Sequence, residues 1–166
     1  FTYPKYQGLN VTYDHKHTEK FDRFAGQTSS LGEDAKPVTN TTNSQWDFGY
    51  GLSYSKFEYS NLKLDKKVYS NNDTIRLSLD VFNNSSIDGK EVVQVYVSDL
   101  VASITPSVKR LRAFNKVEIK SGDTKSVTFS IPVSELAFVD RENKWIVEAG
   151  EFELKIANLT SAFKVK

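Results

Sequence analysis

Over most of the chain, apolar and polar positions alternate with a period of two. Ile75, Leu77, Leu79 and Val81 share one parity, with Arg76, Ser78 and Asp80 on the other. Val93, Val95 and Val97 alternate with Gln94 and Tyr96, and Val127, Phe129 and Ile131 alternate with Thr128 and Ser130. Phe152, Leu154 and Ile156 repeat the pattern against Glu153 and Lys155. This is the period of a strand with one buried face and one wet face. Turn-forming residues separate the runs: Asn71-Asn72-Asp73, Asn83 to Gly89, Ser121-Gly122-Asp123 and Glu148 to Gly150. The pattern predicts strands over 56–64, 74–83, 90–99, 110–119, 124–132, a broken run over 136–140 with 144–148, and 151–157.

About seven short strands at this spacing predict an all-β, antiparallel sandwich of immunoglobulin or fibronectin type III kind. The Cys…Trp…Cys signature of antibody domains is absent and Trp145 comes late in the sequence, which favours the fibronectin-like branch. Residues 1–45 have a different texture. They are polar and broken by Pro4, Gly8, Gly26, Gly32 and Pro37, and only Leu9 to Tyr13 reads as a short strand. A structureless stretch of that length is foreign to a compact domain, so it reads as a linker or an arm that wraps another domain.

Composition adds four constraints. The chain has 166 residues, more than a small sandwich needs, and its 39% hydrophobic content can supply a core. A net charge of +1 argues against nucleic acid as a partner. No apolar run approaches the ~20 residues of a helical bilayer span, so no membrane partner is expected. With no cysteine there is neither a disulfide nor a thiolate site; with no methionine the chain reads as a processed product or a piece of a longer protein.

Candidate chemistry is sparse. Asp80 and Glu153 lie on polar strand faces, and Asp73, Asp88 and Asp123 lie in turns, whereas a general acid needs a pocket that raises its pKa. Glu91 and Glu148 flank strand cores and read as edge or turn residues. His15 and His17, beside Asp14, could begin a metal site, but no further ligand completes it, so no metal is expected. There is no G-x-S-x-G elbow, and Gly49 to Ser53 lacks the lysine of a phosphate loop. No catalytic residue and no cofactor are therefore expected. N-x-S/T triplets occur at Asn10, Asn40, Asn72, Asn83, Asn84 and Asn158, and matter only in a glycosylating secretory route. What stands out is an aromatic band: Trp46, Phe48, Tyr50, Tyr54, Phe57 and Tyr59 fall within fourteen residues. Two readings stand. The band packs on a neighbouring domain, with Gly49 and Gly51 allowing close backbone approach, or it stacks on the rings of an oligosaccharide. The packing reading is preferred, and it names Trp46, Phe48, Gly49, Tyr50, Gly51, Leu52 and Tyr54 as interdomain residues.

Five stretches resemble one family. Trp46 to Ser60 resembles the FGYGLSYT-x-F-x-Y stretch near the carboxyl end of glycoside hydrolase family 3 enzymes, the β-glucosidases and β-xylosidases. Gly89 to Val97 is similar to that family's G-x-EVVQ-x-Y pattern, and Leu111 to Val117 to its L-x-GF-x-K-V pattern, with Ala113 where glycine is usual. Trp145 to Phe152 resembles its W-x-VE-x-G-x-F/Y ending. Tyr3 to Lys16 resembles the segment closing the preceding domain, although Pro is absent after Leu9, the Gly-Gln order is reversed and Asp14 stands for Asn.

The resemblance implies a parent with a (β/α)₈ barrel, an α/β sandwich and a terminal fibronectin type III-like domain. It also implies a retaining mechanism, with an Asp nucleophile and a Glu acid/base that these 166 residues do not include. Residues 1–20 would be a remnant of the α/β sandwich domain, 21–55 an interdomain arm, and 56–166 the fibronectin-like domain. On that reading the chain braces missing catalytic domains that hydrolyse O-glycosidic bonds and is inactive alone. The implied location is the periplasm or the cell exterior, and the expected partners are the parent's other domains. The alternative is a carbohydrate-binding module built around Trp46.

Overall fold

The computed structural model describes residues 50–166. Ten strands follow one another among them: β1 (Phe57–Leu64), β2 (Val68–Tyr69), β3 (Thr74–Asn83), β4 (Gly89–Asp99), β5 (Arg110–Ile119), β6 (Thr124–Pro132), β7 (Phe138–Val139), β8 (Trp145–Ile146), β9 (Gly150–Ile156) and β10 (Leu159–Val165). A 3-10 turn, Val133–Leu136, separates β6 from β7. One sheet has the order β1-β3-β6 and the facing sheet β2-β10-β9-β4-β5, with β7-β8 as a separate hairpin. This is the sandwich that the alternation predicts.

The inner rows make the core. Ile75, Leu79 and Val81 from β3 and Val127 and Ile131 from β6 face Val93, Val95, Ile119, Leu154 and Ile156 of the larger sheet, all at 3% exposure or less. Burying each such group is worth roughly 1.5–3 kcal/mol, which makes a one-residue slip of register prohibitive. The β3–β6 ladder runs unbroken from Thr74↔Pro132 to Phe82↔Thr124. In contrast, β1 is bulged between Ser60 and Lys63, where Asn61 takes φ 56° and donates from Nδ2 to Asp80 Oδ2 at 2.8 Å.

Seven strands have seven residues or more, but they are not quite the seven expected. The run over 136–148 does not form one strand; it folds as the short β7-β8 hairpin, Phe138↔Ile146 and Val139↔Trp145. The seventh long strand is β10, which the alternation does not mark because Ser161 occupies an inner position between Leu159 and Phe163. β10 pairs with β9 through a two-residue turn in which Ala157 takes φ 49°. The turn lacks the glycine that usually signals such a hairpin. β2 is also unmarked, and it pairs parallel to β10 in an otherwise antiparallel sandwich. Its Tyr69 is buried, packs edge-on to Phe163 at 5.6 Å, and donates its hydroxyl to Asp65 Oδ1 at 2.7 Å.

Candidate functional site

Both ends of the sandwich carry features that a core does not require. At one end the polypeptide enters β1. Phe57 and Tyr59 of the aromatic band turn inward and pack on the core. Tyr50, Leu52 and Tyr54 do the opposite, exposed at 64%, 97% and 97%. Trp46, Phe48 and Gly49 lie outside the described residues, as do His15 and His17. Around Gly51 an added Cβ would meet nothing within 4 Å.

Within the sandwich itself, a close backbone approach occurs at Gly89. There a Cβ would lie 2.4 Å from Ser55 Oγ and 2.8 Å from Phe57 Cζ. Ser55 is 6% exposed, with its hydroxyl 3.4 Å from the Ile87 carbonyl oxygen. Next to it, the Lys56 N–H donates to Ser85 Oγ at 2.6 Å, and the Asn84 N–H donates to the Lys56 carbonyl at 2.9 Å. Asn84 Nδ2 donates to Glu58 Oε1 at 2.6 Å. The backbone is thus pinned at Ser55 and Lys56 to the β3–β4 connection, and three large exposed side chains immediately precede the pin.

Asn83 holds that connection in place. It extends the inner row of β3, is fully buried, and donates from Nδ2 to the carbonyls of Ile87 at 2.9 Å and Ile119 at 3.0 Å. Its burial sets it apart among the N-x-S/T triplets, since the amide nitrogen that would carry a glycan is committed inside the domain. Glu91 likewise extends the inner row of β4. It accepts the Tyr59 hydroxyl at 2.6 Å and so links the two sheets, which is more than the edge role expected of it. Burial, followed by the Glu91 hydrogen bond and charge, raises the Tyr59 pKa well above that of an ordinary phenol.

The opposite end carries a crevice of about 250 Å³. Val97, Leu136 and Phe152 lie at its base. Its other lining residues include Ile104, Pro106, Phe138 and Trp145, together with Asp99, Thr105, Ser107, Arg110 and Arg112. Trp145 is 70% exposed. The loop between β4 and β5 that forms one lip is tied down. Ser98 Oγ donates to the Val108 carbonyl at 2.6 Å, and the Ser103 N–H donates to Glu148 Oε2 at 2.8 Å. Asp99 accepts the Val101 N–H at 3.2 Å, and its pKa is raised by burial and by the charge of Glu148. Sequence reasoning did not find this site. Its residues sit at strand ends and in a loop, where periodicity gives no signal; only Trp145, out of step with any strand core, could have marked it.

Similarity to known proteins agrees with this geometry. Residues 91–160 match the model of the "Fibronectin type III-like domain". The chain is 44% identical over 110 residues to the thermostable beta-glucosidase B of Acetivibrio thermocellus, a match spanning 66% of this chain and 15% of that protein. It is 34% identical over 111 residues to a periplasmic beta-glucosidase of Salmonella typhimurium, spanning 67% of this chain and 14% of the relative. A solved beta-glucosidase involved in saponin metabolism from intestinal bacteria aligns with a TM-score of 0.83 at 30% identity, over 99% of this chain and 22% of that one. The chain therefore spans only about a seventh to a fifth of the length of these proteins. Together with the strand order and the motifs at Gly89 and Trp145, these matches show that the chain belongs to glycoside hydrolase family 3 and bears that family's C-terminal fibronectin type III-like accessory domain.

Proposed function

We propose that the domain braces the catalytic domains of a β-glucosidase-type glycoside hydrolase and performs no chemistry itself. The observation that carries this reading is the contrast at the arm. Ser55 is buried and pinned, while Tyr50, Leu52 and Tyr54, within the five residues before it, are left in water. Exposing three large apolar side chains in so short a stretch is costly unless a partner surface covers them, and the pin fixes the direction in which they are presented. The other domains of the parent are the partner. Residues 1–20 are the remnant of its α/β sandwich domain, 21–55 the arm, and 56–166 the brace. Trp46, Phe48, Gly49 and Gly51 complete the docking segment. The parent works in the periplasm or outside the cell, in line with its periplasmic relative.

The reaction is hydrolysis of O-glycosidic bonds by two carboxylates held on other domains. A shift of about 1 Å between such groups costs roughly a hundredfold in rate, so a brace affects turnover without touching substrate. Two measurements test this. The isolated chain should show no saturable hydrolysis of an aryl β-glucoside. In the full-length protein, combined Tyr50→Ala, Leu52→Ser and Tyr54→Ala should lower the thermal midpoint and kcat while leaving the isolated domain's stability unchanged. Turnover by the isolated chain, or an unaltered full-length variant, would defeat the proposal.

A further inference from the structure

No described residue of the arm lines the crevice at the far end of the sandwich. It lies beyond the Asp99 end of β4, whose eleven residues put it roughly 30–35 Å from Gly89. Its chemistry is mixed in a particular way. Its lining includes a largely exposed indole, Trp145. Around it stand a carboxylate, Asp99, the guanidinium residues Arg110 and Arg112, and the hydroxyls of Thr105 and Ser107. An anion would face Asp99, on which the charge of Glu148 also acts, and a cation would face Arg110 and Arg112. A wholly apolar ligand would bury the charges of Asp99 and Arg110 without offering a hydrogen-bonding partner, at a cost of several kcal/mol. A neutral ring with an apolar C–H face and several hydroxyls meets every one of these groups. The carboxylate accepts, the guanidinium donates and the indole takes the face.

Size narrows the ligand further. About 250 Å³ falls just under the ~300–1,000 Å³ of sites for drug-sized molecules, which leaves room for one ring rather than a string of rings. The site is also preformed, because the Ser98–Val108 and Ser103–Glu148 hydrogen bonds hold the loop at its lip. We propose that this crevice binds a single neutral pyranose ring, as a free monosaccharide or as the terminal residue of an oligosaccharide. The ring stacks on Trp145 and its hydroxyls bond to Asp99 and Arg110. This site is separate from the docking segment, and it does not depend on the bracing role.

The test is a titration of the protein with glucose, xylose and cellobiose, followed by amide and indole N–H chemical shifts, with glucuronate as the charged comparison. Saturable shifts are expected at residues 97–112 and at the Trp145 indole, with dissociation constants on the order of millimolar, as befits a ligand of about a dozen heavy atoms. Glucose and cellobiose should bind within about threefold of each other, since only one ring is held. Trp145→Ala and, separately, Arg110→Gln should each weaken binding about tenfold or more; a dispersed spectrum checks that each variant is folded. Absence of saturable shifts with all three neutral sugars would overturn the proposal. So would binding that survives both substitutions, shifts confined to residues outside the crevice, or a response to glucuronate alone.

Discussion

Tyr59 and Glu91 show how a single polar pair can matter more than its place in a pattern suggests. Glu91 continues the row of Val93, Val95 and Val97, so its parity points it between the sheets, where Tyr59 meets it at 2.6 Å. The sequence marks the parity but not the partner, because a carboxylate at the mouth of an apolar row reads as a solvated edge. Tyr59→Phe should cost about 1–2 kcal/mol in urea unfolding at neutral pH, since Glu91 loses its donor. The pH dependence has a definite sign. The Tyr59 pKa is raised in the folded state, so its contribution is whole below the ordinary phenol value of 10.0 and is lost as pH rises beyond it. Over that alkaline range the wild-type protein should lose stability more steeply than Tyr59→Phe. Some slope will remain in the variant, because Tyr69 is raised as well, by burial and by its bond to Asp65. Equal slopes for the two proteins would show that the pair does not titrate as its geometry requires.

At the scale of elements, strands with a strict apolar row were legible almost to the residue: β3 and β6 run as expected over 74–83 and 124–132, and β4 and β9 lie within a residue of 90–99 and 151–157. Elements held by something other than a row were not. β10 is interrupted by Ser161 and reached through a turn whose strained residue is Ala157, and β2 gains its position from pairing rather than from its two residues. The aromatic band was visible as composition, but its division was not. Whether an aromatic near a strand start turns inward depends on what lies beneath it, and for Phe57 that is Gly89. Gly89→Ala would put a methyl 2.4 Å from Ser55 Oγ and 2.8 Å from Phe57 Cζ, so the pinned segment would have to lift. The expected cost is about 1–3 kcal/mol, accompanied by faster amide exchange at Lys56, whose N–H is held by Ser85. Adding Ser55→Gly should recover part of the loss but not all, because the contact with Phe57 persists. Unchanged exchange at Lys56 in Gly89→Ala would mean that the glycine does not set the pin.

For the whole molecule, the question is what the sandwich owes to the residues before it. Every member of its described core, and every partly buried residue packed on that core, lies between Phe57 and Val165. Among the described residues, the bonds that close the arm end run among Ser55, Lys56, Glu58, Asn83, Asn84, Ser85 and Ile87, with Ile119 on the far side. A protein beginning at residue 50 therefore retains all of them. It should unfold cooperatively, with a free energy within about 0.5 kcal/mol of the 166-residue chain and the same denaturant slope. A protein beginning at residue 57 loses the Ser55 plug over Gly89 and both bonds made by Lys56. It should fall by about 1–2 kcal/mol and expose the β3–β4 connection to exchange. Comparing the two by urea titration separates the domain's own stability from its docking. If removing residues 1–49 alone costs several kcal/mol, those residues pack on the sandwich itself, and the apolar arm is a strap on this domain rather than a surface offered to another.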